Sequence, residues 1–210
     1  MTRQRKGFTL VELSIVLIII GLIIGGVLKG TDLINGAKQK KVYTTWIKGW
    51  QVAINTYQDR TGQLLGDGAA NGGAAGAANG TFDDIDLSTA AGTTLANRLR
   101  AVGLDIPVTN TAAAQNGGSY TIDGKYATST SIMTLSGAIL INGLPRNILS
   151  LTLVPTDVAM ALDTMIDGTA DAGLGNCVRS TAVAGAAPAT AVWPAANVAA
   201  TKTVTVYIIL

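Results

Sequence analysis

Glu12 is the residue whose chemistry stands out most, because this carboxylate lies in a segment that is otherwise apolar. From Leu13 to Leu28 the sequence contains no charged residue. An ionisable group in a membrane segment costs about 2.5–3.5 kcal/mol at mid-span, so it generally indicates a function. In a helix bundle that excludes water, a lone carboxylate also requires a cation, because an unpaired buried charge costs several kcal/mol. We therefore expect Glu12 to pair with a positive group.

The segment from Phe8 to Leu28 has the length of a membrane-spanning helix. Its 21 residues would extend about 31 Å at 1.5 Å per residue, which matches the hydrocarbon core of a bilayer. Glu12 also lies near enough to the end of the segment to reach the interface of an ordinary membrane anchor. A secretory signal peptide is disfavoured, because the apolar run exceeds the usual 7–15 residues or so and no Ala-x-Ala site follows it.

The first 30 or so residues resemble the leader and first helix of type IV pilins and type II secretion pseudopilins, and a weaker resemblance reaches about residue 66. It is carried by the basic leader 1–7 ending in Gly7, by Phe8, and by Glu12 as the fifth residue after Gly7. The resemblance implies that a prepilin peptidase cleaves between Gly7 and Phe8 and methylates the new N-terminus. It also implies a filament core in which Glu12 pairs with the α-amino group of Phe8, in this or a neighbouring subunit.

The same resemblance implies a location and a set of partners. We expect a single-pass protein of the bacterial inner membrane with a cytoplasmic N-terminus, which later enters a periplasmic or extracellular filament. The expected partners are homologous pilin or pseudopilin subunits, the prepilin peptidase, the inner-membrane assembly platform and membrane lipid. Lysine and arginine residues flank both sides of the span, so the positive-inside rule does not decide the orientation.

Composition argues against catalysis and against nucleic acid as a general partner. The chain has no histidine, which removes the commonest general base and metal ligand. Without the three basic residues of the leader 1–7, twelve basic side chains face thirteen acidic ones, a net charge of −1. This balance exerts no global attraction on DNA, although four lysines leave local DNA contact as a less favoured alternative: Lys38, Lys40, Lys41 and Lys48. We expect no enzymatic activity.

The pattern beyond the span predicts an α+β, pilin-like fold, in which a long N-terminal helix packs on a C-terminal antiparallel sheet. Apolar residues at steps of three and four predict a helix over residues 8–60, whose C-terminal half packs on a head formed by residues 61–210. The stripe comprises Tyr43, Trp46, Ile47, Trp50, Ala53, Ile54 and Tyr57. The Gly/Ala-rich residues 66–80 predict a flexible surface loop.

Local signals predict the elements of the head. Gly103 ends a helix over residues 93–102, and Thr156 caps a second helix that Gly168 ends. Asp123-Gly124 and Asn142-Gly143 predict hairpin turns between apolar strands. The final segment, TKTVTVYIIL, predicts a further strand.

Three aspartates spaced by four, Asp163, Asp167 and Asp171, occur at the end of the second helix. Acidic groups oppose the dipole at a helix C-terminus, so a bound calcium ion would account for them. A solvated acidic surface is the favoured alternative, since the spacing does not fit an EF-hand loop. We expect no other cofactor. The single Cys177 excludes an intrachain disulfide, and without a histidine to activate it we expect a small buried side chain.

These observations predict a structural subunit, a minor pilin or pseudopilin, of a type IV pilus or a type II secretion pseudopilus. The alternative that the residues leave open is a membrane-tethered periplasmic binding domain with a pilin-like anchor.

Overall fold

A computed structural model describes residues 7–111, 116–180 and 192–210 of the chain. The chain divides into two compact units, Met1–Lys38 and Gln39–Leu210. The described part of the first unit is helical from Leu10 onward, and the second unit combines helices with an antiparallel sheet. The predicted α+β class, a long apolar helix followed by an antiparallel sheet, is therefore confirmed.

Three helical segments follow one another without a break at the start of the chain. They are α1 (Leu10–Lys41), a π-helical segment (Val42–Ile47) and α2 (Lys48–Thr61). Together they form a helical stretch of 52 residues. The stretch ends at Gly62, whose φ of 71° is a left-handed conformation that glycine adopts without steric cost.

Within the second unit, one face of the π-helical segment and α2 is buried. Six of the seven stripe residues are buried, whereas Tyr43 is half-buried and Val42 takes its place. The π-helical segment explains the difference, because its neighbours along one face are four and five residues apart rather than three and four. Trp46 stacks on Tyr120 with ring centroids 5.4 Å apart.

Among the described residues, the sheet contains six strands, and all of their pairs are antiparallel. The strands are β1 (Ile85–Asp86), β2 (Ser119–Asp123), β3 (Thr128–Ile141), β4 (Leu144–Pro155), β5 (Cys177–Arg179) and β6 (Thr203–Ile209). Their order is β1-β3-β4-β6-β5, and β2 also pairs with β3. The predicted C-terminal strand is thus confirmed as β6, and it lies between β4 and β5.

The turn between β3 and β4 has the geometry that its sequence predicts. Asn142 and Gly143 have φ values of 53° and 75°. Two successive positive φ angles are typical of a type I′ turn, for which Asn-Gly is the preferred sequence.

The hairpin between β2 and β3 forms, but the predicted two-residue Asp-Gly turn is wrong. Asp123 pairs directly with Thr128, and the Gly124 N–H donates to the Ala127 carbonyl at 2.8 Å. Residues 124–127 therefore form the loop. A contact from outside the hairpin favours this wider loop. The Lys125 N–H donates to the carboxylate of Asp157, in the second helix of the head, at 2.7 Å.

Two helices flank the sheet, α3 (Ala90–Ala101) and α4 (Thr156–Asp167). Gly103 follows α3 with a φ of 73°, and Gly168 ends α4 with a φ of 85°, as predicted. The predicted N-cap at Thr156 is wrong. The Thr156 hydroxyl donates to the Thr201 carbonyl at 2.6 Å, so it connects α4 to the chain entering β6 instead of capping the helix.

The loop over residues 66–80 forms as predicted, but it is not the purely solvent-exposed excursion that its composition indicated. Asp67 is only 2 % exposed, and its carboxylate accepts the N–H groups of Asn79 and Gly80 at 2.8 and 2.7 Å. The carboxylate of Asp83 accepts two more N–H groups from the same loop. Carboxylates that accept backbone N–H groups therefore hold this glycine-rich segment in place, which composition alone does not reveal.

Candidate assembly site

Thr9 and Glu12 form a reciprocal pair of hydrogen bonds at the start of α1. The Glu12 N–H donates to the Thr9 hydroxyl at 3.2 Å. In return, Glu12 Oε2 accepts the Thr9 N–H and the Thr9 hydroxyl, both at 2.9 Å. Since α1 begins at Leu10, Thr9 is the N-cap, Glu12 is the third helical residue, and the arrangement is a capping box.

The capping box fixes the carboxylate of Glu12 near the N-terminal end of the helix. Within the described part of the chain, the bonds from Thr9 all reach Oε2, so Oε1 is left to accept from another donor. The positive end of the helix dipole also favours a carboxylate at this position. The sequence carried this signal as Thr-x-x-Glu before an apolar run, but our sequence interpretation missed it.

The two residues predicted to flank a cleavage site lie just before this helix. Phe8 is 84 % exposed, and a Cβ atom placed on Gly7 would meet no atom within 4 Å. Gly7, Phe8 and Glu12 thus lie at the N-terminal end of α1, and cleavage, methylation and the assembly role of Glu12 stay predictions.

The first part of α1, from Leu13 to Leu28, has an apolar surface, and no residue of α1 is buried. Its most apolar 18-residue window has a mean hydropathy of 2.7, and none of that window is buried. The helix is long and apolar enough to cross a membrane by length and composition. An exposed apolar surface of this kind is typical of a membrane anchor or of an interface with other apolar helices.

A family model for the prokaryotic N-terminal methylation motif matches residues 2–28. The chain thus carries the signature of type IV pilins and pseudopilins over its leader and apolar helix. No curated protein and no solved structure gives a match. The motif and the exposed apolar helix support a type IV pilin-like or pseudopilin subunit with a membrane anchor.

The three aspartates near the end of α4 organise the loop that follows this helix. Asp163 is fully buried, and its Oδ2 accepts the N–H groups of Asp171 and Ala172 at 2.8 and 3.2 Å. The indole N–H of Trp193 donates to the same oxygen at 2.7 Å. Burial raises the pKa of Asp163 above its ordinary value, and these three donors oppose the rise.

Asp167 and Asp171 have comparable contacts. Asp167 accepts the N–H groups of Asn176 and Cys177 at distances of 2.8–3.0 Å, and Asp171 accepts two N–H groups from the residues after it. Among the described residues, no group of three carboxylate or thiol side chains is placed to hold a metal ion. The calcium prediction for Asp163, Asp167 and Asp171 therefore gains no support from this geometry and stays a prediction.

Cys177 is fully buried in β5, which confirms the expected small buried side chain. Burial raises the pKa of its thiol, and the negative charges of Asp163, Asp167 and Asp171 raise it further. The thiol therefore stays protonated at neutral pH, and it has none of the thiolate character that a nucleophile requires.

The four lysines considered for DNA contact are all exposed: Lys38, Lys40, Lys41 and Lys48. Exposure of this kind is ordinary for lysine and is equally compatible with solvent. DNA contact therefore stays a hypothesis.

Proposed function

We propose that this chain is a minor pilin or pseudopilin of a type IV pilus or a type II secretion pseudopilus. In this proposal a prepilin peptidase cleaves between Gly7 and Phe8 and methylates Phe8. The inner-membrane assembly platform then moves the subunit, whose N-terminus was cytoplasmic, into a periplasmic or extracellular filament. The protein is structural, catalyses no reaction and carries no resident cofactor. The observation that supports this best is an uncovered apolar helix that presents a single fixed carboxylate at its N-terminal end.

Glu12 is the assembly residue in this proposal. Its Oε1 accepts a hydrogen bond from the α-ammonium group of Phe8 in a neighbouring subunit, while Oε2 remains bound to Thr9. Methylation of the amine preserves its positive charge, so the ion pair survives the modification. Because the capping box already fixes the Glu12 side chain, little rotamer entropy is lost on docking.

Removing this carboxylate from one side leaves the ammonium group unpaired in a core without water. Breaking such a pair typically costs about 3–5 kcal/mol. At 1.4 kcal/mol per factor of ten, the docking constant falls by at least about two orders of magnitude. Membrane insertion of Glu12→Leu should improve or stay equal, because the substitution removes a charge from the apolar segment.

The test compares Glu12→Leu, Glu12→Gln and the control Asp32→Asn, which removes a carboxylate from the same helix beyond the apolar run. Two quantities are measured, the amount of processed subunit in membranes and its recovery in sheared or cross-linked filaments. Glu12→Leu should keep or raise the first and strongly lower the second. Glu12→Gln, which keeps an acceptor but loses the charge, should be intermediate, and Asp32→Asn should resemble the unaltered chain.

If Glu12→Leu left both quantities unchanged, the carboxylate would have no role in docking. The same result, together with a chain that never leaves the membrane fraction, would favour the tethered binding domain over the filament subunit.

A further inference from the structure

The outer edge of β2 is covered by a side chain instead of a neighbouring strand. The side-chain amide of Asn110 donates to the Thr121 carbonyl at 2.8 Å and accepts the Thr121 N–H at 2.7 Å. This carboxamide thereby satisfies the backbone donor and acceptor that the next strand of a sheet would otherwise bind. Because Asn110 binds the backbone N–H and C=O of Thr121, these two groups point away from β3. Backbone groups alternate in direction along an antiparallel strand, so the N–H and C=O groups of Ser119 and Asp123 also point away from β3.

The residues on both sides of Asn110 cover the next outward position. The hydroxyl of Thr109 donates to the Ser119 carbonyl. The hydroxyl of Thr111 donates to the same carbonyl at 3.2 Å and lies 2.8 Å from the Ser119 hydroxyl. Residues 109–111, which we term the edge plug, thus occupy outward backbone groups at two positions of β2.

Two residues that flank the edge plug in the sequence, Pro107 and Gly117, contact α2 and the π-helical segment. Pro107 packs so closely on α2 that a Cβ atom placed on Gly49 would lie 3.2 Å from the Pro107 Cβ. After the plug, the Gly117 carbonyl accepts the indole N–H groups of Trp46 and Trp50 at 2.7 and 2.9 Å. These contacts within the second unit determine where the edge plug lies.

An uncovered edge strand is a template for pairing with another chain, and short polar devices on the edge are a common protection. The outward positions of β2 are symmetric about Thr121. An antiparallel pair of two β2 strands centred on this residue would let the two Thr121 residues exchange their N–H and C=O groups. It would place Ser119 of one copy opposite Asp123 of the other, a pairing without charge repulsion. The edge therefore fits a second copy of itself.

We propose that the edge plug keeps two copies of this chain from pairing through β2, and that a second copy is the partner this edge accepts when the plug is withdrawn. The exchange replaces side-chain hydrogen bonds by backbone hydrogen bonds of the same kind. Pairing through β2 does not depend on filament assembly, since it needs only two copies of the chain in one membrane.

The test is Asn110→Ala in the full chain, purified in detergent micelles, with the dimer fraction measured by sedimentation velocity. Loss of the two hydrogen bonds that compete with dimer formation should raise the dimer association constant about tenfold or more. The control is Asn116→Ala, because the Asn116 amide also donates to a backbone carbonyl, that of Thr89 at 3.0 Å, but not to β2. This control should leave the dimer fraction of the unaltered chain unchanged.

The double variant Asn110→Ala/Thr121→Pro identifies the surface. Proline removes the N–H that a β2–β2 pair needs, while β3 makes no use of this outward-facing group, so the strand tolerates it. The double variant should return to the dimer fraction of the unaltered chain. If Asn110→Ala alone proves poorly folded by circular dichroism, Asn110→Asp keeps the acceptor for Thr121 but loses the donor, and should give an intermediate increase.

Two results would overturn the proposal. One is a folded Asn110 variant whose dimer fraction equals that of the unaltered chain. The other is an increase that persists in the Thr121→Pro background, since the copies would then associate through another surface.

Discussion

The hydrogen bond from Trp193 to Asp163 should make a large and pH-dependent contribution to the stability of the head. The indole N–H donates to Oδ2 at 2.7 Å, and Asp163 is fully buried. Among the described residues, the other oxygen, Oδ1, is buried without a hydrogen-bond partner, so after the loss of Trp193 the carboxylate keeps only the bonds from the Asp171 and Ala172 N–H groups to Oδ2. A bond to a charged group contributes about 1.5–3 kcal/mol. At a pH above the pKa of Asp163, where the carboxyl is charged, Trp193→Phe should lower the free energy of unfolding by about that amount, plus a small packing loss.

The pH dependence follows from the state of the carboxylate. The Trp193 hydrogen bond lowers the pKa of Asp163, while burial, the larger effect, raises it. Trp193→Phe should therefore raise the pKa of Asp163 further. Above the pKa that Asp163 has in Trp193→Phe, the unaltered chain exceeds the variant in stability by the full amount. This difference shrinks as the pH falls through that pKa, because the hydrogen bond from Trp193 to a neutral carboxyl is weaker.

The assay is guanidinium unfolding of the full chain in detergent, followed by circular dichroism across a range of acidic to neutral pH. Trp50→Phe is the matched control, because its indole N–H donates to the uncharged Gly117 carbonyl, which Trp46 also satisfies. The hydrogen-bond loss in this control should be about 0.5–1.5 kcal/mol and independent of pH. In an Asp163→Asn background, the Trp193→Phe effect should also lose its pH dependence. An equal cost for Trp193→Phe at every pH would refute the reasoning.

Three further predictions concern single residues. Gly7→Ala should be partly processed and Gly7→Val should accumulate at full length, because the peptidase implied by the motif requires a small residue before the cut; N-terminal sequencing and gel mobility would show this, and processed Gly7→Val protein would contradict it. Cys177→Ser should lose about 1–3 kcal/mol, because a hydroxyl replaces a buried thiol, yet keep filament formation in a shearing assay; a folded variant that forms no filaments would give the thiol a further role. Gly92→Ala should destabilise α3, since its Cβ would lie 2.1 Å from the Leu87 carbonyl oxygen, whereas Gly36→Ala meets no atom within 4 Å and should leave thermal unfolding unchanged.

The features of the head that could be predicted depend on neighbouring residues. Gly103 and Gly168 end helices because of a local backbone conformation, and Asn142-Gly143 forms its turn for the same reason. The predictions that proved wrong concern local polar groups that bind a partner far away in the sequence. The hydroxyl of Thr156 binds a carbonyl 45 residues away, and no pattern around this residue indicates such a partner.

The candidate assembly site at Glu12 and the aspartates of α4 show the same division. Glu12 could be found from the sequence because one charge in an apolar run is a local anomaly, and its bond to Thr9 was equally readable in the spacing. The organising role of Asp163 could not be found, because its donors come from the following loop and from Trp193, thirty residues further along the chain. Spacing by four showed that Asp163 and Asp167 share a face of α4, but it did not show which groups contact them.

The position of β6 determines the time at which the head can complete its sheet during synthesis. This strand is the last of the six in sequence, yet it lies between β4 and β5, and 54 residues separate the end of β4 at Pro155 from Ile209. At about 5–20 residues per second, translation needs roughly 3–11 s to cover that distance. Throughout this interval one edge of β4 lacks its partner, so the nascent head passes through a stage in which its central strand pair is missing and the apolar side chains beneath it are open to other chains.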